Sequence, residues 1–188
     1  MKGRYSRGMT DHQQILFALG GNRSGKSDYA ENSALTLAKS HDLTPIYIAT
    51  GQAFDDEMKA RIKRHLDRRD PSFTTIEEPI NLADIINQHD HHHVLLIDSL
   101  GVWITNLMVH DRPVDEHIAS FLAALKDAKS SVVLVSDEIG MGIVPENAMA
   151  RAFRDHLGLL NQGVAELANS VVFMVAGLPM MMKSNQNL

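Results

Sequence analysis

Short apolar runs recur along the chain at Ile15–Leu19, Pro45–Ala49, Val94–Ile97, Val132–Val135 and Val171–Val175. Each is rich in Val, Ile or Leu and does not alternate with polar residues, the pattern of parallel strands buried on both faces. Helical spacing fills the intervals. Asp28–Ser40 carries apolar residues at Tyr29, Ala30, Leu35, Leu37 and Ala38. Asp55–Arg69 is strongly charged, with Met58, Ile62 and Leu66 at i, i+4 and i+8, which predicts a surface helix docked by a narrow stripe. Asn81–Gln88 predicts a shorter helix, and Val114–Ala128 and Glu146–Ala168 predict amphipathic ones, with Pro145 suitably placed before the second. Strands alternating with helices predict a three-layer α/β/α sandwich around a mostly parallel sheet, with ligands at the carboxyl ends of the strands. Neither a repeat nor a linker interrupts the pattern, so residues 1–188 read as one domain. Met1–Gln14 and Ser184–Leu188 read as loose tails.

Between the first strand and the first helix the chain reads G-G-N-R-S-G-K-S, residues Gly20, Gly21, Asn22, Arg23, Ser24, Gly25, Lys26 and Ser27. This fits the phosphate-binding P-loop in its required strand–loop–helix context. Glycines let successive backbone N–H groups turn inward on an anion, and the helix adds its positive N-terminal end. Lys26 would reach the β- and γ-phosphates, and the Ser27 hydroxyl would ligate Mg²⁺. The Val94–Asp98 run buries four apolar residues and delivers a carboxylate at the strand end. Asp98 is therefore a second candidate for Mg²⁺; a strand-end aspartate capping a turn is the plainer reading.

Composition narrows the function. A net charge of −5 argues against a nucleic-acid partner held through its phosphates. No cysteine is present, which removes thiolate catalysis and fits a reducing, cytoplasmic setting. The polar start lacks the apolar core of a signal peptide, and no apolar run approaches the roughly 18–20 residues of a membrane span. Val171–Met182 is apolar but too short, and Gly177 and Pro179 interrupt it.

Other polar clusters admit two readings each. Asp137 and Glu138 close a strand and precede a glycine-containing loop. Glu138 could position metal or water, or the pair could simply lead into the helix after Pro145. His65 stands among Arg61, Lys63, Arg64, Arg68 and Arg69. Cationic neighbours disfavour its protonated form, so a neutral imidazole could attack phosphorus; a solvated charged face is the plainer reading. His89, His91, His92 and His93 sit between a helix and a strand and read as a solvated turn, not a zinc site, because neighbouring side chains of a regular element diverge. Trp103, with Val102, Ile104, Leu107 and Met108, reads as core ahead of a subunit contact.

Ordered blocks from about Ile15 to Lys183 resemble the bifunctional adenosylcobinamide kinase / adenosylcobinamide-phosphate guanylyltransferase family of cobalamin biosynthesis. They are the P-loop, Y-I-A-T-G-Q at Tyr47–Gln52 with D-D-E-M at Asp55–Met58, R-I-K-R-H-L-D-R-R at Arg61–Arg69, and F-T-T-I-E-E-P at Phe73–Pro79. D-S-L-G-V-W-I-T-N-L at Asp98–Leu107 and V-V-L-V-S-D-E-I-G-M-G-I-V-P-E-N at Val132–Asn147 complete them. The resemblance implies a RecA-like P-loop fold, phosphorylation of adenosylcobinamide by a nucleoside triphosphate (GTP, ATP or both), and transfer of GMP from GTP to adenosylcobinamide phosphate. It implies a guanylylated histidine at His65. It also points to Ala49, Thr50, Gly51, Leu66, Asp67, Arg68, Arg69, Glu77 and Asp98 as GTP-site residues. A homotrimer with the active site near a subunit boundary follows from the same likeness, with no nucleic acid or membrane insertion.

Three positions depart from the family pattern, among them Asn22, where the family typically has a small residue. Asp137 stands where the family usually has asparagine, adding a possible charge beside phosphates, and Phe73 stands in a tryptophan position. The competing readings are a P-loop kinase of another small molecule with no covalent nucleotide, and a nucleotide-dependent switch or ATPase.

Overall fold

The computed structural model describes residues 13–52 and 69–184. In chain order the described elements are β1 (Ile15–Gly20), α1 (Lys26–His41), β2 (Thr44–Ala49), β3 (Thr74–Glu77), α2 (Leu82–Gln88), β4 (His93–Asp98), α3 (Leu100–Val109), α4 (Val114–Lys126), β5 (Ser131–Asp137), α5 (Ala148–Leu167), β6 (Ser170–Val175) and β7 (Leu178–Ser184). The strands form one sheet in the order β3-β2-β4-β5-β1-β6-β7. All pairings are parallel except the last, in which β7 runs antiparallel to β6.

Alternation along the strands divides the core into two layers. Ile46, Ile48, Leu95, Ile97, Val132 and Leu134 face one side with Trp103, Phe121, Leu157 and Leu160 from the helices. Tyr47, Val94, Leu96, Val133 and Val135 face the other, where α1 lays down Ala30, Ala34 and Ala38. Those alanines recur every fourth residue, and their small size lets the helix backbone approach the sheet. The result is the three-layer α/β/α sandwich expected from the sequence.

All five expected strands are present. The sequence pattern did not reveal β3, β7 or α3. Trp103 lies on α3 and is core, 1% exposed, with Nε1 donating to the Ile80 carbonyl at 2.8 Å and its ring 5.1 Å from that of Phe121. The tail boundaries need correction. The Gln13 side-chain amide donates to the Ala128 carbonyl, and the Gln14 carbonyl accepts from Val132 N at 2.8 Å, so both continue the sheet edge inward from the tail. Ser184 closes β7, paired with Ser170. The last long helix starts at Ala148, where the Asn147 side chain accepts from Ala150 N, and ends at Leu167. The helix expected over Asp55–Arg69 lies outside the described residues apart from Arg69, which sits in a bend.

Trp103→Phe would leave the half-buried Ile80 carbonyl without its Trp103 donor. We expect a loss of about 1–3 kcal/mol in chemical denaturation. The transition should be followed by circular dichroism, because Trp103 is the only tryptophan of the chain.

Candidate functional site

The chain leaves β1 at Gly20 and turns back over the strand end before α1 begins. Gly20 has no room for a side chain: a Cβ there would lie 2.4 Å from Ser24 Oγ and 2.7 Å from the Met174 carbonyl. Arg23 and Gly25 take positive φ, 55° and 89°. For Gly25 this left-handed geometry is unstrained. Ser24 is buried, and its carbonyl accepts from Gly177 N at 3.0 Å. Ala176 and Gly177, both at positive φ, form the tight turn joining β6 to β7, so that hairpin braces the loop from behind. The expected strand–loop–helix is present at Gly20–Ser27, the form an anion cradle requires, with Asn22 and Arg23 exposed at its tip and Ser27 in the first turn of α1.

Strand register sets what faces the cradle. Gly20 is level with Asp137 on β5, Asp98 on β4 is level with Ala49 on β2, and Ala49 is level with Glu77 on β3. Lys26 Nζ lies 2.7 Å from Asp137 Oδ1 and donates to the Gly21 carbonyl at 3.1 Å. Glu138 N donates to the Gly20 carbonyl at 3.1 Å, while its carboxylate accepts from Gly140 N. Glu138 thus serves its own loop in this structure. Asp98 Oδ2 accepts from the Tyr47 hydroxyl at 2.9 Å, and the Arg69 guanidinium carbon lies 3.3 Å from the Tyr47 ring centroid. Burial, then the neighbouring Asp98 charge, raises the Glu31 carboxyl above its ordinary range. The Tyr47 hydroxyl is pushed up by burial and by Asp98, so it remains a donor. Ser27, Asp98 and Glu31 supply oxygen donors only, the set that suits Mg²⁺.

Of the residues carried by the family resemblance, Ala49, Thr50, Arg69, Glu77 and Asp98 gather at the carboxyl edge, with Gly51 following Thr50. Thr50 is fully buried, and its hydroxyl donates to the Ser99 carbonyl at 3.0 Å and accepts from Ser99 N at 2.8 Å. Its side chain ties β2 to the end of β4 and is not presented to a ligand. Buried Asn106 locks the same corner by donating to the carbonyls of Thr50 and Pro79, at 2.7 and 3.1 Å. Arg69 also donates to Thr75 Oγ1 at 2.8 Å, and Glu77 is exposed. His65, Leu66, Asp67 and Arg68 lie outside the described residues. The histidines form the exposed turn expected of them, with His91 and His92 exposed, and in it ligand atoms of Asp90, His91 and His92 lie within 4.8 Å of one another. It sits at the amino end of β4, the far side of the sheet from the cradle.

Sequence reasoning passed over Glu31, Tyr47, Gly101, Asn161 and the 176–177 turn as parts of this region. Only the turn had a local signal, a two-residue Ala-Gly between apolar runs; the others are defined by their neighbours in space.

Comparison with known proteins accords with this geometry. A family model described as cobinamide kinase / cobinamide phosphate guanyltransferase matches residues 16–182. The bifunctional adenosylcobalamin biosynthesis protein CobP of Pseudomonas aeruginosa is 42% identical over 168 residues, covering 88% of this chain and 95% of its own. Escherichia coli CobU, of the same description, is 38% identical over 185 residues, covering 90% of this chain and 99% of its own. Among solved structures, the flagellar accessory protein FlaH from Methanocaldococcus jannaschii is similar with a TM-score of 0.51 at 15% identity, over 93% of this chain and 80% of its own, a likeness of fold alone. The sheet is that of a P-loop NTPase, and the chain belongs to the cobinamide kinase / cobinamide phosphate guanyltransferase family.

Proposed function

We propose that this chain phosphorylates adenosylcobinamide and then guanylylates the product. In the first step the aminopropanol hydroxyl attacks the γ-phosphorus of a nucleoside triphosphate, and the nucleoside diphosphate leaves. In the second, His65 attacks the α-phosphorus of GTP and pyrophosphate leaves. Adenosylcobinamide phosphate then takes GMP from the histidine, giving adenosyl-GDP-cobinamide and restoring the imidazole. The cradle at Gly20–Ser27, facing Asp98 across the sheet edge, is the observation that carries this reading; family membership supplies the substrates.

In this reading the loop amides and Lys26 grip the β- and γ-phosphates, and Asp98 with Ser27 holds Mg²⁺. Bound Mg²⁺ neutralises charge building on the transferring group. Tyr47 fixes one Asp98 oxygen, and Asp98 so oriented would hold Mg²⁺ with Ser27. Arg69 and Glu77 face the nucleotide from the β2–β3 side. We place both activities in one domain and the enzyme in the cytoplasm, where nucleoside triphosphates are supplied. A homotrimer is supported by large apolar side chains left outside the core. Leu178, Met180, Met181 and Met182 are exposed along edge strand β7, as are Met141, Ile143, Val144 and Met149 around the start of α5.

Incubation with GTP and Mg²⁺ should add one GMP to the intact protein mass, through an acid-labile bond absent in His65→Ala. A folded, GTP-binding protein that gains no adduct would remove the transferase step. Light scattering on the eluting protein should give about three times the chain mass of 20.8 kDa. A monomer would contradict the trimer. Glu31 gives a pH test. Its raised carboxyl contributes stability below the ordinary carboxylate range, and that contribution is lost as pH rises through the folded value. Without metal or nucleotide, Glu31→Gln should therefore melt higher than the parent at pH 7, with the gap closing toward about pH 4. An equal gap at both pH values would count against the effect.

A further inference from the structure

The cation expected to grip phosphate already has an anionic partner. Lys26 Nζ contacts Asp137 Oδ1 at 2.7 Å, with side chains only 12% and 32% exposed. The pairing follows from the fold, because β1 and β5 are adjacent and their register sets Gly20 level with Asp137. Asp137 has little freedom to withdraw. Its carbonyl accepts from Asn161 Nδ2 at 3.1 Å, and Asn161 Oδ1 in turn accepts from Ser136 Oγ at 2.7 Å. Its second carboxylate oxygen rests against Gly101, where a Cβ would come within 2.9 Å. The backbone is anchored, the outer oxygen is packed on α3, and the inner oxygen points at the loop lysine.

A triphosphate entering the cradle must take Lys26 from this carboxylate. Asp137 then faces several phosphate charges without its counter-ion, at short range and partly shielded from water. We propose that Asp137 is a positioning residue that competes with the nucleotide for Lys26, and so sets the affinity of the phosphate site and its response to salt. The proposal rests on the phosphate-site reading of Gly20–Ser27. Salt should affect the two sides of the exchange in opposite senses, weakening lysine–phosphate contacts while also loosening the lysine–aspartate pair. The aspartate therefore buffers the site against ionic strength.

The test is titration of a non-hydrolysable GTP analogue with Mg²⁺ into the parent, Asp137→Asn and Asp137→Ser, across a range of salt concentrations. Thermal melting of the nucleotide-free proteins runs alongside. Both variants should bind about two- to fivefold tighter than the parent, the scale of one partly exposed charge pair. Their affinity should fall more steeply with salt, while the nucleotide-free fold melts at the same or a lower temperature. A stabilised fold alone would not steepen the salt response. Folded variants that bind equally or more weakly, with the parent's salt slope, would overturn the competition and leave the phosphate site standing. A folded parent that binds no analogue would overturn the site reading and the proposal together.

Discussion

Backbone amides can converge on an anion only where the chain folds back with no side chains in the way, and the described structure is arranged around meeting that requirement once. Gly20 is pressed between Ser24 and the Met174 carbonyl, and Gly25 turns through φ 89° with the Gly177 Cα at the limit of contact for any added Cβ. The β6–β7 hairpin is therefore more than an edge extension. Its turn fills the space behind the loop and hydrogen-bonds the Ser24 carbonyl, so the loop is held from a part of the chain 153 residues further on. Central strands buried on both faces give this assembly a rigid floor.

A second consequence is electrostatic. Parallel strands deliver their carboxyl ends to one edge, and here those ends carry Glu77, Asp98, Asp137 and Glu138. Three of these carboxylates are held by groups of the protein itself. Asp98 has the Tyr47 hydroxyl, Glu138 has Gly140 N, and Asp137 has Lys26. At Glu31, burial and the Asp98 charge outweigh the Arg69 charge and raise the carboxyl. A divalent cation between Glu31 and Asp98 would remove that conflict.

How far the sequence revealed this depends on whether burial imposed a pattern. The five central strands were legible because both faces are covered and their residues are uniformly apolar. Edge strand β3, T-T-I-E, is exposed at three of its four residues and shows no such run. In β7 the proline and glycine nearby read as interruptions, although Pro179 is tolerated where only one neighbouring strand must be served. Helix α3 is apolar on most sides because it sits between sheet and helices, so it lacks the stripe that marks a surface helix. The P-loop was legible because its chemistry is local. The Lys26–Asp137 pair and the Tyr47–Asp98 bond join residues far apart in sequence and arise from strand order alone.

Strand order also limits how the site can be shared between two chemistries. From the Gly20 end of β1 to the Glu77 end of β3 the sheet crosses β5, β4 and β2. Four interstrand steps at about 4.8 Å put those ends roughly 19 Å apart. No single phosphate can touch both, since a hydrogen bond spans about 3 Å. Glu77 therefore lies out of reach of a phosphate held at the loop, whereas the Arg69 guanidinium reaches back over the Tyr47 ring toward Asp98. Asp98 and Tyr47 lie between the two ends. A kinase that attacks the γ-phosphorus and a transferase that attacks the α-phosphorus need different atoms brought to the same edge. A wide edge with one fixed phosphate grip supplies that separation without a second fold.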